Sequence, residues 1–134
     1  MKGIGFLSGF VSGLLTLGII LPASSQVTSD GTTNTTVNTN GNNFNILNGI
    51  QKGNNLFHSF KEFSIPTGGS ANFINSTNVF NIINRVTGGN ISDINGLIKK
   101  SGIAILFLIT PAGFVFGKNS ILNLGGSFFV STVE

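Results

Sequence analysis

Between residues 85 and 132 the chain alternates short apolar runs with Asn- and Gly-rich turns so closely that no helix of ordinary length fits. Gly and β-branched residues interrupt every window, and the apolar spacing holds no 3.6-residue period. The same punctuation begins earlier, so strands are expected at 56–65, 71–74, 79–83, 91–94, 103–109, 114–116, 121–124 and 128–132. Residues 42–50 alternate polar and apolar positions ahead of an Asn48-Gly49 turn signal. Only 93–100 is arguable as a helical turn, and 26–43, with Val27 and Val37 as isolated apolar residues, reads as a loose lead-in holding at most a short strand at 36–38. The fold class is all-β.

Charge supports this. Only 8% of residues are charged against 40% hydrophobic, so the surface must be built of uncharged Asn, Thr, Ser and Gly. An all-β solenoid suits that composition better than a helical enzyme coated in Lys and Glu. The net charge of +3 is spread over Lys2, Lys52, Lys61, Arg85, Lys99, Lys100 and Lys118 without a basic cluster, which argues against a nucleic-acid partner. There is no cysteine, hence no disulfide framework and no thiolate metal site, and the chain can be threaded without cross-links.

Met1-Lys2, the uncharged apolar run 4–21 and the small-residue exit Pro22-Ala23-Ser24-Ser25-Gln26 form the three-part pattern of a secretory signal peptide. Cleavage is expected between Ser25 and Gln26, giving a signal peptide at 1–25 and one domain at 26–134. A permanent transmembrane helix is the competing reading, because the run approaches the ~20 residues that span a bilayer. Its interior Gly and Ser and the helix-ending Pro22 favour the signal.

Among all-β architectures, a sandwich wants long two-faced strands joined by hairpins. The strands here are short, and Asn72, Asn78, Asn81, Asn90, Asn95, Asn119 and Asn123 recur beside apolar triplets. A parallel β-helix stacks its coils about 4.8 Å apart, so like residues can stack and Asn at turns can bond to the coil below. No strict repeat period is visible. The 13 Phe, beside no Trp or Tyr, read as core filling rather than as a glycan platform.

Catalytic constellations are weak. Asp30, Glu62, Asp93 and Glu134 are isolated acids, with neither the carboxyl pair of a glycosidase nor the acid cluster of a calcium-dependent lyase. His58 stands alone, which excludes a multi-histidine zinc site. A triad of Ser59 or Ser64 with His58 and Asp93 lacks a nucleophile elbow, so His58 reads as structural. Gly88-Gly89 and Gly125-Gly126 match no phosphate loop and are explained by positive φ or close packing. No cofactor is expected.

Several motifs occur in a family-specific order. Asn54, then Leu56-Phe57-His58-Ser59-Phe60, resembles an Asn-Leu-Phe-His-Ser-Phe element. Arg85-Val86-Thr87-Gly88-Gly89 resembles an Arg-Val-Thr-Gly-Gly turn, and Thr110-Pro111-Ala112-Gly113 with Phe114-Val115-Phe116-Gly117 resembles an Asn-Pro-Asn-Gly-Ile-x-Phe-Gly signature. Together they resemble the two-partner secretion domain of filamentous-haemagglutinin-type exoproteins, shared with contact-dependent inhibition proteins, over residues 41–134.

The resemblance implies a right-handed parallel β-helix with short flanking strands, and a domain that starts the export of an adhesin- or haemagglutinin-like protein. The implied partners are the Sec translocon and an outer-membrane TpsB-type β-barrel transporter with periplasmic POTRA domains. A missing passenger would reach a host or neighbour-cell surface. The protein would thus be secreted or cell-surface, passing the periplasm and outer membrane of a Gram-negative-type bacterium. Thr110 and Ala112 replace both Asn residues of the signature, and Asn75-Ser76-Thr77-Asn78 stands where an earlier Asn-Pro-x-Gly-like turn is expected. Those departures put export efficiency in question, whereas Pro111 and Gly113 set turn geometry and predict that the fold survives. The chain stops directly after a strand, so the domain is expected to be incomplete at its C-terminus. The rival reading is a self-contained, carbohydrate-binding surface β-solenoid.

Overall fold

The computed structural model describes residues 26–133, so the signal-peptide expectations for 1–25, cleavage after Ser25 included, lie outside the described residues. Thirteen strands follow one another: β1 (Val27–Ser29), β2 (Thr35–Asn40), β3 (Asn43–Asn48), β4 (Ile50–Lys52), β5 (Asn55–Phe63), β6 (Ser70–Phe73), β7 (Asn81–Val86), β8 (Ser92–Ile94), β9 (Leu97–Lys100), β10 (Ile105–Ile109), β11 (Phe114–Phe116), β12 (Ile121–Asn123) and β13 (Phe128–Ser131). No helix occurs among the described residues. The strands wind into a parallel β-solenoid of about 4 turns.

Each coil has three faces. On the first, β3, β6, β9 and β12 pair in parallel, with Asn43, Ser70, Leu97 and Ile121 in register. On the second, β5, β7, β10 and β13 do the same, so Leu56, Ile82, Leu106 and Phe128 form one column. The third face pairs β8 with β11 and is extended by an Ile65–Ile94 bridge. The step is 27 residues from Asn43 to Ser70 and 26 from Asn55 to Asn81, but Leu97 is followed in register by Ile121, where a fixed step would place residue 124. Changing turn lengths therefore hide the repeat from sequence inspection.

Inward columns make the core. Phe44, Ala71 and Ile98 stack on the first face, large beside small, and Phe60 and Val86 adjoin Leu56, Ile82 and Leu106 on the second. Phe60 and Phe63 meet edge to face at 5.2 Å, and Phe63 stacks on Phe73 at 6.2 Å. Burying each such side chain contributes about 1.5–3 kcal/mol. Core filling nevertheless accounts for only part of the Phe content. Phe44, Phe60, Phe63 and Phe73 are buried, whereas Phe57, Phe107 and Phe129 alternate onto the outer face of the second sheet.

Two local expectations are corrected. Residues 93–100 form no helical turn, because the corner at Asn95-Gly96 divides them between strands β8 and β9 on different faces. The lead-in is not loose: β1 pairs antiparallel with β5 and β2 with β3, covering the edge of the first coil and burying Val27. An unpaired solenoid edge would otherwise expose its ladder groups. Asn stacking is also found within strands rather than only at turns. Asn72 donates to Asn45 at 3.3 Å and Asn81 to Asn55 at 2.9 Å, since parallel in-register pairing puts equal outward side chains one coil apart.

Corners are where coils approach most closely. A Cβ on buried Gly96 would meet the Gly69 and Pro66 carbonyl oxygens at 2.5 Å each. Gly96→Ala should therefore destabilise by about 1–3 kcal/mol. Gly41→Ala, at φ +62° in open space, should cost about 1 kcal/mol for its backbone conformation alone. Denaturant midpoints test this, and equal losses in the two variants would show that the corner yields.

Candidate functional site

The sequence motifs converge on the second sheet and its exit corner. In β5, Leu56, His58 and Phe60 point inward and are buried, while Phe57 and Ser59 face outward, Ser59 being buried beneath the lead-in at Asp30. Asn54 sits in the turn before β5, and its carbonyl accepts the Phe80 and Asn81 amides at 2.8 and 3.2 Å. One coil on, Arg85 lies in register with Ser59 and donates from Nη2 to Ser59 Oγ at 3.4 Å. The turn after β7 closes against β5 as well: Thr87 N donates to Phe60 O at 2.8 Å. A Cβ on Gly88 would overlap the Lys61 carbonyl at 1.9 Å, so only glycine fits, and Gly89 takes φ +82°.

The Thr110–Gly113 turn stacks at the same corner, one coil further. Gly113 N donates to Thr110 O at 2.9 Å, closing a four-residue turn with Pro111 second, Ala112 third and Gly113, at φ +112°, fourth. That order suits a type I turn. Thr110 is fully buried, its Oγ1 donating to Gly113 O at 3.0 Å and hydrogen-bonded to Ser92 Oγ at 2.9 Å. Asn75 and Asn78 lie apart from this corner, in the turn between β6 and β7. There Asn75 donates to Ser76 O at 2.9 Å, and Asn78 Oδ1 accepts from Gln51 of β4 at 3.2 Å.

Asp30, which sequence reading treated only as an isolated acid, is the hub joining lead-in and coils. Its carboxylate accepts Ser59 Oγ at 2.5 Å, Thr87 Oγ1 at 2.8 Å, Thr32 Oγ1 at 2.7 Å and the Thr32 amide at 3.0 Å. Burial alone would push this carboxyl up, but the donors from Ser59, Thr32 and Thr87 more than reverse that and hold it well below 3.8. The Asp30-Gly31 pair, a turn signal beside two threonines, was the available clue.

His58 is structural. It is buried, hydrogen-bonded through Nδ1 to Thr35 Oγ1 at 2.9 Å, and burial pushes its pKa down to about 4. Neighbouring strand residues face opposite ways, so His58 and Ser59 are not brought together as base and nucleophile. Ser64 is engaged instead with the Asp93 amide at 3.0 Å, and Glu62 accepts from Asn90 Nδ2 at 2.7 Å. Among the described residues no group of acids, His or Cys is placed to hold a metal.

Residues 25–134 match the TPS secretion domain family model. The chain belongs to the TPS secretion domain family. Among solved structures, this TPS domain is similar to the HMW1 secretion domain from Haemophilus influenzae, at 27% identity and TM-score 0.60. The likeness covers 81% of this chain and 27% of that one, so the chain spans about a quarter of the length of the structure it matches. No curated protein matches the chain. Membership gives the TPS domain a secretion-related role in an exported protein, and its fold is not that of a known enzyme family. TPS domains in general engage TpsB-type transporters.

Two titrations should separate in the folded domain. Unfolded chain takes up a proton at His58 below 6.5 and native protein only near 4, so about 3 kcal/mol of stability is lost as pH falls across that window. Asp30, whose folded pKa lies below its unfolded value, contributes fully above 3.8, and that contribution is lost as pH falls below it. Melting curves from pH 7 to 2 should show both slopes. His58→Gln should flatten the upper one and Asp30→Asn the lower, and a wild-type curve level from pH 7 to 4 would contradict the assignment of His58.

Proposed function

We propose that residues 26–134 form the N-terminal secretion domain of an exported adhesin- or haemagglutinin-like protein, delivered to the periplasm by the Sec translocon after cleavage between Ser25 and Gln26. There the still-unfolded chain is recognised by the POTRA domains of an outer-membrane TpsB-type transporter, and it folds into its β-helix at the cell surface. The observation that carries this reading is the family match over the whole of residues 26–134, with family-like motifs stacked on one face and corner of the solenoid.

The structure supports a physical route to export without ATP. Each coil that forms outside pairs with the previous one and buries its own share of apolar side chains, so folding favours outward movement one coil at a time. Capture of the extended chain would use the apolar strands and unpaired main chain through β-augmentation. The altered turn is compatible with this, because Thr110 supplies a buried hydroxyl where the signature has an amide.

Secretion of the tagged chain is the test, scored in medium and periplasm with and without the partner transporter. Transporter-dependent release is expected, with Thr110→Asn/Ala112→Asn releasing at least as much as wild type. Periplasmic retention in both strains, with the signal cleaved and the transporter exporting its own substrate, would overturn the reading and leave glycan binding by a self-contained solenoid to be measured.

A further inference from the structure

The outer face of the second sheet carries an apolar row that the core does not use. Ile50 pairs with Phe57, Phe57 with Ile83, Ile83 with Phe107 and Phe107 with Phe129, so five outward side chains run up the solenoid across β4, β5, β7, β10 and β13. Ile50 is 39% and Phe129 54% exposed, and the three between them are half-buried. Phe107 and Phe129 stack with centroids 5.4 Å apart, which keeps the upper part of the row flat. Two grooves follow it, one of about 410 Å³ at Ile50, Phe57 and Ile83 and one of about 360 Å³ at Phe107, sharing Ile83 and Ile109. Contiguous exposed apolar surface of this kind marks interaction sites.

Charge and spacing define the occupant. Lys52 and Arg85 both line the larger groove. The acids on the neighbouring elements are already engaged, Asp30 by Ser59, Thr32 and Thr87 and Glu62 by Asn90. A second copy docking by the same face would bring two more cations and no unengaged acid from these elements to meet them. Two cations are also too few for an anionic membrane surface, where basic clusters of about 4–8 residues act. The row advances by the spacing of adjacent strands, about 4.8 Å, and so spans about 19 Å. A helix presents one apolar side chain per 5.4 Å turn, close to that step, whereas same-face residues of an extended strand are about 6.6–6.8 Å apart.

We propose that this face docks an amphipathic helical segment of a polypeptide partner, about 13 residues long, with its apolar side chains along Ile50, Phe57, Ile83, Phe107 and Phe129 and an acidic residue on the flank facing Arg85. The site belongs to the folded domain and does not depend on transporter recognition, which acts on the unfolded chain.

Two fluorescent helix-stapled peptides of about 14 residues, identical in their Leu face and differing only in Glu or Lys at the flank, test this by anisotropy against the folded full chain. The Glu peptide should bind about tenfold more tightly than the Lys peptide. Arg85→Glu should reverse the order, and Phe107→Ser should weaken both peptides about tenfold. Ile121→Ser, outward-facing and exposed on the first sheet, should change neither. If Phe107→Ser does not fold, as judged by its melting curve, Ile50→Ser on the hairpin replaces it. Absence of binding by both peptides, equal affinity for the two, an order unmoved by Arg85→Glu, or an equal loss with Ile121→Ser would each overturn the proposal.

Discussion

Everything in this domain depends on parallel, in-register pairing between one coil and the next. Once Asn43, Ser70, Leu97 and Ile121 share a column, the rest of the face is set: inward residues meet inward residues, and outward amides meet outward amides. A slip of one residue would turn Phe44, Ala71 and Ile98 out to solvent. The same close stacking explains the glycines at the corners, where a carbonyl of one coil occupies the space that a side chain of the next would need. Core, amide ladder and corner glycines are thus three consequences of one spacing.

The polar interior has a different task. Asp30 ties the lead-in to Ser59 in the first coil and to Thr87 in the second, 57 residues away, while Thr35 reaches His58. The Thr87 contact closes only when the second coil is present, so the lead-in cannot complete its hydrogen bonding on the first coil alone. Coil stacking itself is a nearest-neighbour affair that can proceed stepwise. The domain therefore combines local growth with one long-range closure at its N-terminal end. Buried Asn84, in register with His58 one coil on, adds an uncompensated cost, since its Nδ2 donates to Phe107 O at 2.8 Å but its Oδ1 has no protein partner.

The all-β class, most strands and most turns were legible because Gly, Asn and Pro punctuate the chain where the backbone must bend, and Asn48 and Gly49 indeed both take positive φ. The family was legible as well, and the structure stacks two of the segments that suggested it directly through Ser59 and Arg85. Less visible was the period, because the corners change length between coils while the strands keep their register. The lead-in misled because its hydrogen-bond partners are distant in sequence, so Thr and Asn that read as loop become strand. Phe misled in the opposite sense: a residue type says that apolar surface is present, but alternation along β5 and β10 decides which Phe enters the core.

The Thr110–Gly113 turn separates what geometry requires from what a motif happens to contain. Pro111 presets the backbone of the second position, and Gly113 takes the positive φ that other residues resist, so these two carry the bend. The first position needs a buried polar side chain that can satisfy the corner. Thr does so through its hydroxyl, sharing a hydrogen bond with Ser92 in the neighbouring coil and donating to Gly113 O. Ala112 at the third position is exposed and makes no side-chain demand on the stack. The fold thus tolerates losing both Asn residues, and any selective pressure to keep them must act on a step other than the stability of the finished solenoid.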